Sequence, residues 1–264
     1  HTYEGTLGEG TLDISGAGTQ VLRSSGADTG LTISGGNLVL QGKADVDGAR
    51  LSYGNLVNSG NLTIQASDNS LTAVNTTLSV ENASFSSGSA TTFTLNTDAD
   101  MTASFIEISG DVVIEDGASF HVTSIPDVNI TWKSGNPMEL TLMELTGNGT
   151  IDLGENTLTV GGLFLTYYKN AHLVQEGDKV VLKAEEQTDN IYAGVADTAN
   201  SMAGANLLWD AARHGSIDQA VTDFLGALNN NMLNNPSAAR RSLAAMAGST
   251  VNALGTAQRD ALRD

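Results

Sequence analysis

One short phrase, a turn residue followed by alternating apolar and small polar residues, recurs through the first 184 residues and leaves few folds open. It reads GTLDIS from Gly10, GLTISG from Gly30, GNLVLQ from Gly36, GNLTIQ from Gly60, TTLSVE from Thr76, TTFTLN from Thr91, GTIDLG from Gly149 and NTLTVG from Asn156. The period of two puts Leu12/Ile14, Leu31/Ile33, Leu38/Leu40, Leu62/Ile64, Leu78/Val80, Phe93/Leu95, Ile151/Leu153 and Leu158/Val160 on one face of a strand each. A strand with one apolar face has to bury it against something. The phrases recur irregularly, commonly about 15 to 24 residues apart, which suits stacked rungs of a right-handed parallel β-helix, because each rung buries the inward residues of its neighbours without a fixed repeat length. A jelly roll or sandwich is the competing fold. Against it, Asn-Gly hairpin signals are scarce, while SGN and GGN recur where Asn or Gly can take left-handed turn conformations at rung corners. Inward Asn residues can also stack as a ladder between rungs.

Composition fits a core of aliphatic side chains joined by tight turns, with 29 glycines and only 5% aromatic residues. The absence of Cys removes disulfides, thiolate nucleophiles and Cys-based zinc sites together. Net charge is −18, which repels nucleic acid and anionic lipid. No apolar run approaches the roughly 20 residues of a membrane helix. The start, HTYEGTLGEG, has no basic-then-apolar leader, so an exported protein would begin here in its mature part.

Near residue 184 the period changes from two to helical spacing. Asp197 or Thr198 can cap a helix with Met202, Ala205, Leu208, Trp209 and Ala212 on one face. Ser216 with Gln219 forms a capping box opening a second helix with Val221, Phe224, Leu225 and Leu228. Pro236 suits a first helical turn, and Leu243, Met246, Thr250, Leu254 and Ala257 face one way after it. The expected organisation is therefore a mainly β solenoid over residues 1–184, with a closing hairpin near 163–184, and an α-helical segment over 185–264. The solenoid carries 21 acidic and 7 basic residues, a net −14.

LFLTYYKNAHLVQEGDKVVLKAEE, from Leu163 to Glu186, resembles the final hairpin of type V autotransporter passengers, and ARRSLAAMAGSTVNALGTAQRDALRD, from Ala239 to Asp264, resembles the helical stretch that leads into their outer-membrane barrel. The resemblance implies secretion across two Gram-negative membranes to the cell surface or medium. It also implies folding that proceeds from the C-terminal rungs, and a downstream outer-membrane β-barrel of the same precursor as a partner.

Asp28-Thr29-Gly30, within SSGADTGL, resembles the tripeptide with which aspartic proteases present a catalytic carboxylate. That chemistry needs two carboxylates sharing a proton. No second Asp-Thr-Gly or Asp-Ser-Gly occurs, so catalysis by Asp28 requires a homodimer or an unrelated acid. The alternative is a rung corner, in which Asp28 bonds its own backbone two residues on and Gly30 takes a positive φ. Asp45/Asp47 and Asp98/Asp100 place carboxylates on one strand face, where they can hold a cation, flank a sugar or simply be solvated. His121, His172 and His214 lack ligand spacing. Trp132, Tyr167 and Tyr168 suit either a sugar platform or cap packing. Asn61-Leu62-Thr63 and Asn82-Ala83-Ser84 match the glycosylation pattern, which carries no meaning in a bacterial chain.

These readings converge on an exported surface module that engages a host glycoprotein or glycan, with no cofactor, no metal and no nucleic-acid partner. The alternative is a secreted aspartic-type peptidase acting on host proteins such as mucin through Asp28, Thr29 and Gly30. A third is a polysaccharide-active β-helix with carboxylates on one face.

Overall fold

The alternating phrases become strands because each can bury its apolar positions against the same positions of the strand above and below. The computed structural model describes residues 1–42, 49–65, 75–96, 102–103, 105–124, 138–161, 164–214 and 219–246. The chain is mainly β, with three mostly parallel sheets and a C-terminal helical segment. The first sheet contains Thr2–Tyr3, Thr19–Leu22, Asn37–Gln41, Asn61–Gln65, Ala90–Asn96, Ser119–Ser124 and Thr157–Val160, all parallel in that order, with Thr102–Ala103 added antiparallel to Ala90–Asn96. The second is built from Gly10–Ile14, Thr29–Ile33, Leu56–Asn58, Ala83–Phe85, Val112–Ile114 and Ile151–Asp152. In the third, the parallel strands Arg50–Ser52, Thr77–Val80, Phe105–Ile108 and Met138–Leu145 are followed by the antiparallel pair Lys179–Glu186 and Tyr168–Glu176. From Arg50 to Val160 the chain passes through the third, second and first sheets in that order, four times over.

Register turns this order into a core. In the first sheet Leu38, Leu62, Thr91, Phe120 and Leu158 form one inward column and Leu40, Ile64, Phe93, Val122 and Val160 another. The second sheet contributes Leu31, Leu56, Ala83, Val112 and Ile151, and the third Leu51, Leu78, Ile106 and Met143. Nearly all are buried in one continuous apolar cluster. Phe85 of the second sheet meets Phe120 of the first edge-to-face, with ring centroids 5.8 Å apart.

The corners depart from expectation in one respect. Asparagine ladders do run between rungs, but on the outside: Asn61 Nδ2 donates to Asn37 Oδ1 at 2.9 Å and Asn82 Nδ2 to Asn55 Oδ1 at 2.8 Å. The second ladder continues as Asn82 Oδ1 accepts from Asp111 N at 2.8 Å and Asp111 Oδ1 from Thr150 N at 3.1 Å. An exterior amide leaves its remaining donors and acceptors to water, whereas an inward one must satisfy all of them. Asn58 is the inward case, donating to Ala90 O and Thr91 Oγ1 and accepting from Gly60 N. None of these asparagines takes a left-handed conformation; among described non-glycine residues only Ala49 and Asn170 have positive φ. At the corner from the second sheet to the first, glycine does this instead, as in Gly88 (φ 76°) stacked by hydrogen bond on Gly117 (φ 88°).

Gly149 marks a different constraint, because a Cβ placed there would lie 1.9 Å from Gly110 O on the rung below. Backbone cannot retreat as a flexible side chain can. We expect Gly149→Ala to cost about 2 kcal/mol in urea unfolding through forced rung separation, against an unchanged midpoint for Gly8→Ala, whose Cβ would meet open space.

The C-terminal segment begins with the antiparallel pair at the end of the third sheet. Phe164–Tyr167 makes one helical turn before the hairpin Tyr168–Glu176/Lys179–Glu186, whose turn is Gly177-Asp178. Beyond it come the helices Ala199–His214 and Gln219–Asn234 and helical residues 236–246. Thr198 caps the first of these, its Oγ1 accepting from Ser201 N at 3.1 Å. Ala205, Leu208 and Ala212 are buried as the spacing predicts, but Met202 is 38% exposed, because the buried face runs through Ser201 instead and Met202 is turned about 100° away from it. The expected Ser216 cap and the positions Thr250, Leu254 and Ala257 lie outside the described residues. Tyr192, fully buried, ties the helices to the hairpin: its hydroxyl is 2.8 Å from Thr166 Oγ1, which also accepts from Asn229 Nδ2 at 3.0 Å. Arg213 stacks over Trp209, 4.5 Å from its centroid, and donates to Gln187 O and to Glu186 at 2.9 Å.

Candidate functional site

Asp28 stands on a turn whose closing bond runs from Thr29 N to Gly26 O at 2.8 Å. The turn is fixed on both sides. Gly26 N donates to Ser52 O, Gly54 N donates to Thr29 O at 2.9 Å, and the buried Thr29 hydroxyl donates to Gly8 O. Backbone and Thr29 hold this corner without help from Asp28, whose exposed carboxylate makes no hydrogen bond to another described residue. Gly30 sits in the strand Thr29–Ile33 opposite Thr11 and has no positive φ, contrary to the corner geometry expected for it. The turn ends one residue earlier than the tripeptide suggests, so extended backbone already begins at Thr29. The register that pairs Gly10 with Thr29 gives Glu9 and Asp28 matching positions, each immediately before its strand. Glu9 is therefore the acid that the topology assigns to the neighbouring rung.

The other candidates disperse. Asp45, Asp47, Asp98, Asp100 and Trp132 lie outside the described residues. Tyr167 and Tyr168 are 2% and 5% exposed, too enclosed to serve as a sugar platform; Tyr167 donates its hydroxyl to Ala212 O in the contact with the helices. Burial pushes both phenols above their ordinary pKa. His172 is exposed with Nδ1 2.9 Å from Asn170 O, and His214 ends its helix. Among the described residues no group of three His, Asp or Glu side chains is placed to hold a metal ion.

The three outer sheet faces differ in electrostatic character. On the third sheet Arg50 forks onto Glu107, and the guanidinium's hydrogen bond holds that carboxyl below the usual range. Lys179 pairs with Glu144 at 3.0 Å, and Lys183 reaches Glu176 at 2.5 Å and Glu139 at 3.8 Å. The second sheet carries Asp13 and Asp152 on its outer row. On the first sheet no acid stands at any outward position of the described strands. One outward row there reads Val21, Val39, Thr63, Thr92, His121, Thr159, each in register with the next. This row escaped a reading centred on apolar positions. Its signal lay in the polar partners of the same phrases, the Thr of NLTI, TFTL and TLTV.

The chain matches no protein-family model and no curated protein.

Proposed function

We propose that this chain is an exported bacterial cell-surface module, folded over residues 1–184 as a right-handed parallel β-helix and continuing over 185–264 as the linker of a type V autotransporter toward an outer-membrane barrel of the same precursor. The observation that carries the reading is the repeated passage through third, second and first sheets with parallel in-register stacking. Such stacking offers long, flat, repetitive faces and asks for no catalytic pocket. Its function is adhesion to host glycoprotein or glycan. The acidic net charge of −18 fits a surface display and disfavours nucleic acid as the partner. In the test, the full precursor is displayed on a Gram-negative cell and adherence to wells coated with mucin, matrix protein or albumin is counted. Adherence to mucin or matrix above albumin is expected; equal, background adherence to all three sinks the adhesion reading.

The peptidase reading retains one favourable observation, the matching positions of Glu9 and Asp28 on adjacent rungs. It requires pepstatin-sensitive cleavage of unfolded casein at acid pH that disappears in both Asp28→Ala and Glu9→Gln. Activity that is absent, or that is equal in the wild type and both variants, removes it.

A further inference from the structure

The first-sheet row Thr63, Thr92, His121, Thr159 combines three properties that no other outer face shares. It is free of acids on a chain of net charge −18. Its members are in register on consecutive strands, so their side chains repeat at the interstrand spacing of about 4.8 Å. Among the described residues their side-chain polar groups have no hydrogen-bond partner, although outward neighbours are engaged, Asn61 with Asn37 and Ser119 with Ser89 O. Three hydroxyls and an imidazole thus stand half-buried or exposed with their donors and acceptors free. Among the described residues no aromatic or large apolar side chain shares the row with them, which disfavours a protein partner, since protein interfaces concentrate their energy in such anchors. The surrounding acidity disfavours a polyanion.

We propose that this row is a docking track for a neutral, extended polysaccharide lying across the strands, its hydroxyls exchanging hydrogen bonds with one side chain per strand. The proposal rests on the surface-module reading and names the glycan class that the module takes. Val21 and Val39 extend the track as an apolar strip that sugar C–H faces can cover. Specificity arises by exclusion as well as by contact. A charged sugar unit meets no counter-ion in the track and lies within the field of a strongly acidic protein.

Isothermal titration of the full chain with the neutral hexasaccharides chitohexaose, cellohexaose and isomaltohexaose, and with heparin, tests this. At least one neutral hexasaccharide is expected to bind, and more tightly than heparin. Thr92→Asp should weaken that binding about ten-fold or more, because it forces an unpaired carboxylate against the glycan. Thr159→Asp, at the exposed end of the row, should weaken it as well and keeps the test decisive if Thr92→Asp fails to fold. Thr32→Asp, on the second sheet's outer row, should change nothing. Binding of none of the three hexasaccharides, heparin binding at least as tight, or an equal loss in Thr32→Asp overturns the track. Mucin adherence that survives both Thr92→Asp and Thr159→Asp also overturns it while leaving the surface module standing. A wild type that binds a hexasaccharide but adheres to no host surface does the reverse.

Discussion

Phe120→Ala is expected to cost about 4 kcal/mol of unfolding free energy. Phe120 is fully buried, shares an inward column with Thr91 and Leu158, and meets Phe85 edge-to-face at 5.8 Å. Truncation removes the transfer free energy of the ring and leaves a cavity that the flanking rungs cannot close, since their spacing is set by backbone hydrogen bonds. The lost ring pair adds roughly 1 kcal/mol to the expected figure. Equilibrium urea unfolding gives the magnitude, with Val113→Ala, on a side chain 54% exposed, as a control expected to shift by less than about 0.5 kcal/mol. Because Ser119–Ser124 pairs only with the strands on either side of it in the first sheet, hydrogen exchange should speed up most on those two, Ala90–Asn96 and Thr157–Val160. A loss under about 1 kcal/mol, or uniform acceleration across the chain, would falsify the column as a packing unit.

The phrases were legible because a period of two is a local property. GNLVLQ, GNLTIQ and TTFTLN each show two apolar residues at alternate positions, enough to name the strand, and the register stacks Leu38 on Leu62 and Leu40 on Ile64 and Phe93, while the first of these columns continues through Thr91 rather than Leu95. Strands of three residues are another matter. Leu56–Asn58, Ala83–Phe85 and Val112–Ile114 carry at most two inward side chains, and Asn58 is one of them, so no alternation is visible within the segment. What specifies them is pairing with strands far along the chain, as Ala83 pairs with Leu56 on one side and Val112 on the other, and no local pattern shows those partners. Met138–Leu145 was hidden for a different reason: it breaks register between Thr141 and Met143, so its inward set changes partway along.

The helical segment divides in the same way. The Thr198 cap was readable because capping is a contact between residues three apart. The Thr166–Tyr192–Asn229 node was not, because its members are separated by 26 and 63 residues from Thr166 and none belongs to a motif. Asp28 shows the limit from the opposite side. Its tripeptide was conspicuous, yet the chemistry it suggests needs a second carboxylate, and which residues lie across from its strand is given only by the register that pairs Gly10 with Thr29.

Raising the pH above about 10 should unfold the protein through its buried tyrosines. Burial pushes the phenols of Tyr53, Tyr167 and Tyr192 well above their ordinary value, and all three are at most 3% exposed. Each stays neutral in the folded protein at a pH where the unfolded chain has already lost its proton. The native state then binds more protons than the unfolded one, so stability is unaffected below the unfolded pKa and falls as pH climbs from there toward the folded pKa. The slope is roughly 1.4 kcal/mol per tyrosine per pH unit, about 4 kcal/mol per unit for three acting together, which is a large share of a typical domain's stability. Lys183 loses its pairing with Glu176 and Glu139 in the same range, so the overall slope alone does not isolate the phenols. Single replacements do. Tyr53→Phe keeps the ring that fills the core and gives up only the hydroxyl that donates to Ser24 O. Urea midpoints at about pH 8 and about pH 11 should therefore converge by roughly a quarter or less in this variant, because the buried phenol of Tyr168 and the Lys183 pairing also feed the gap. Tyr3→Phe, at a ring 43% exposed, should leave the wild-type gap unchanged. A gap that Tyr53→Phe fails to narrow would mean that the phenols reach solvent before the fold gives way, and that alkaline sensitivity arises from the lysine pairs.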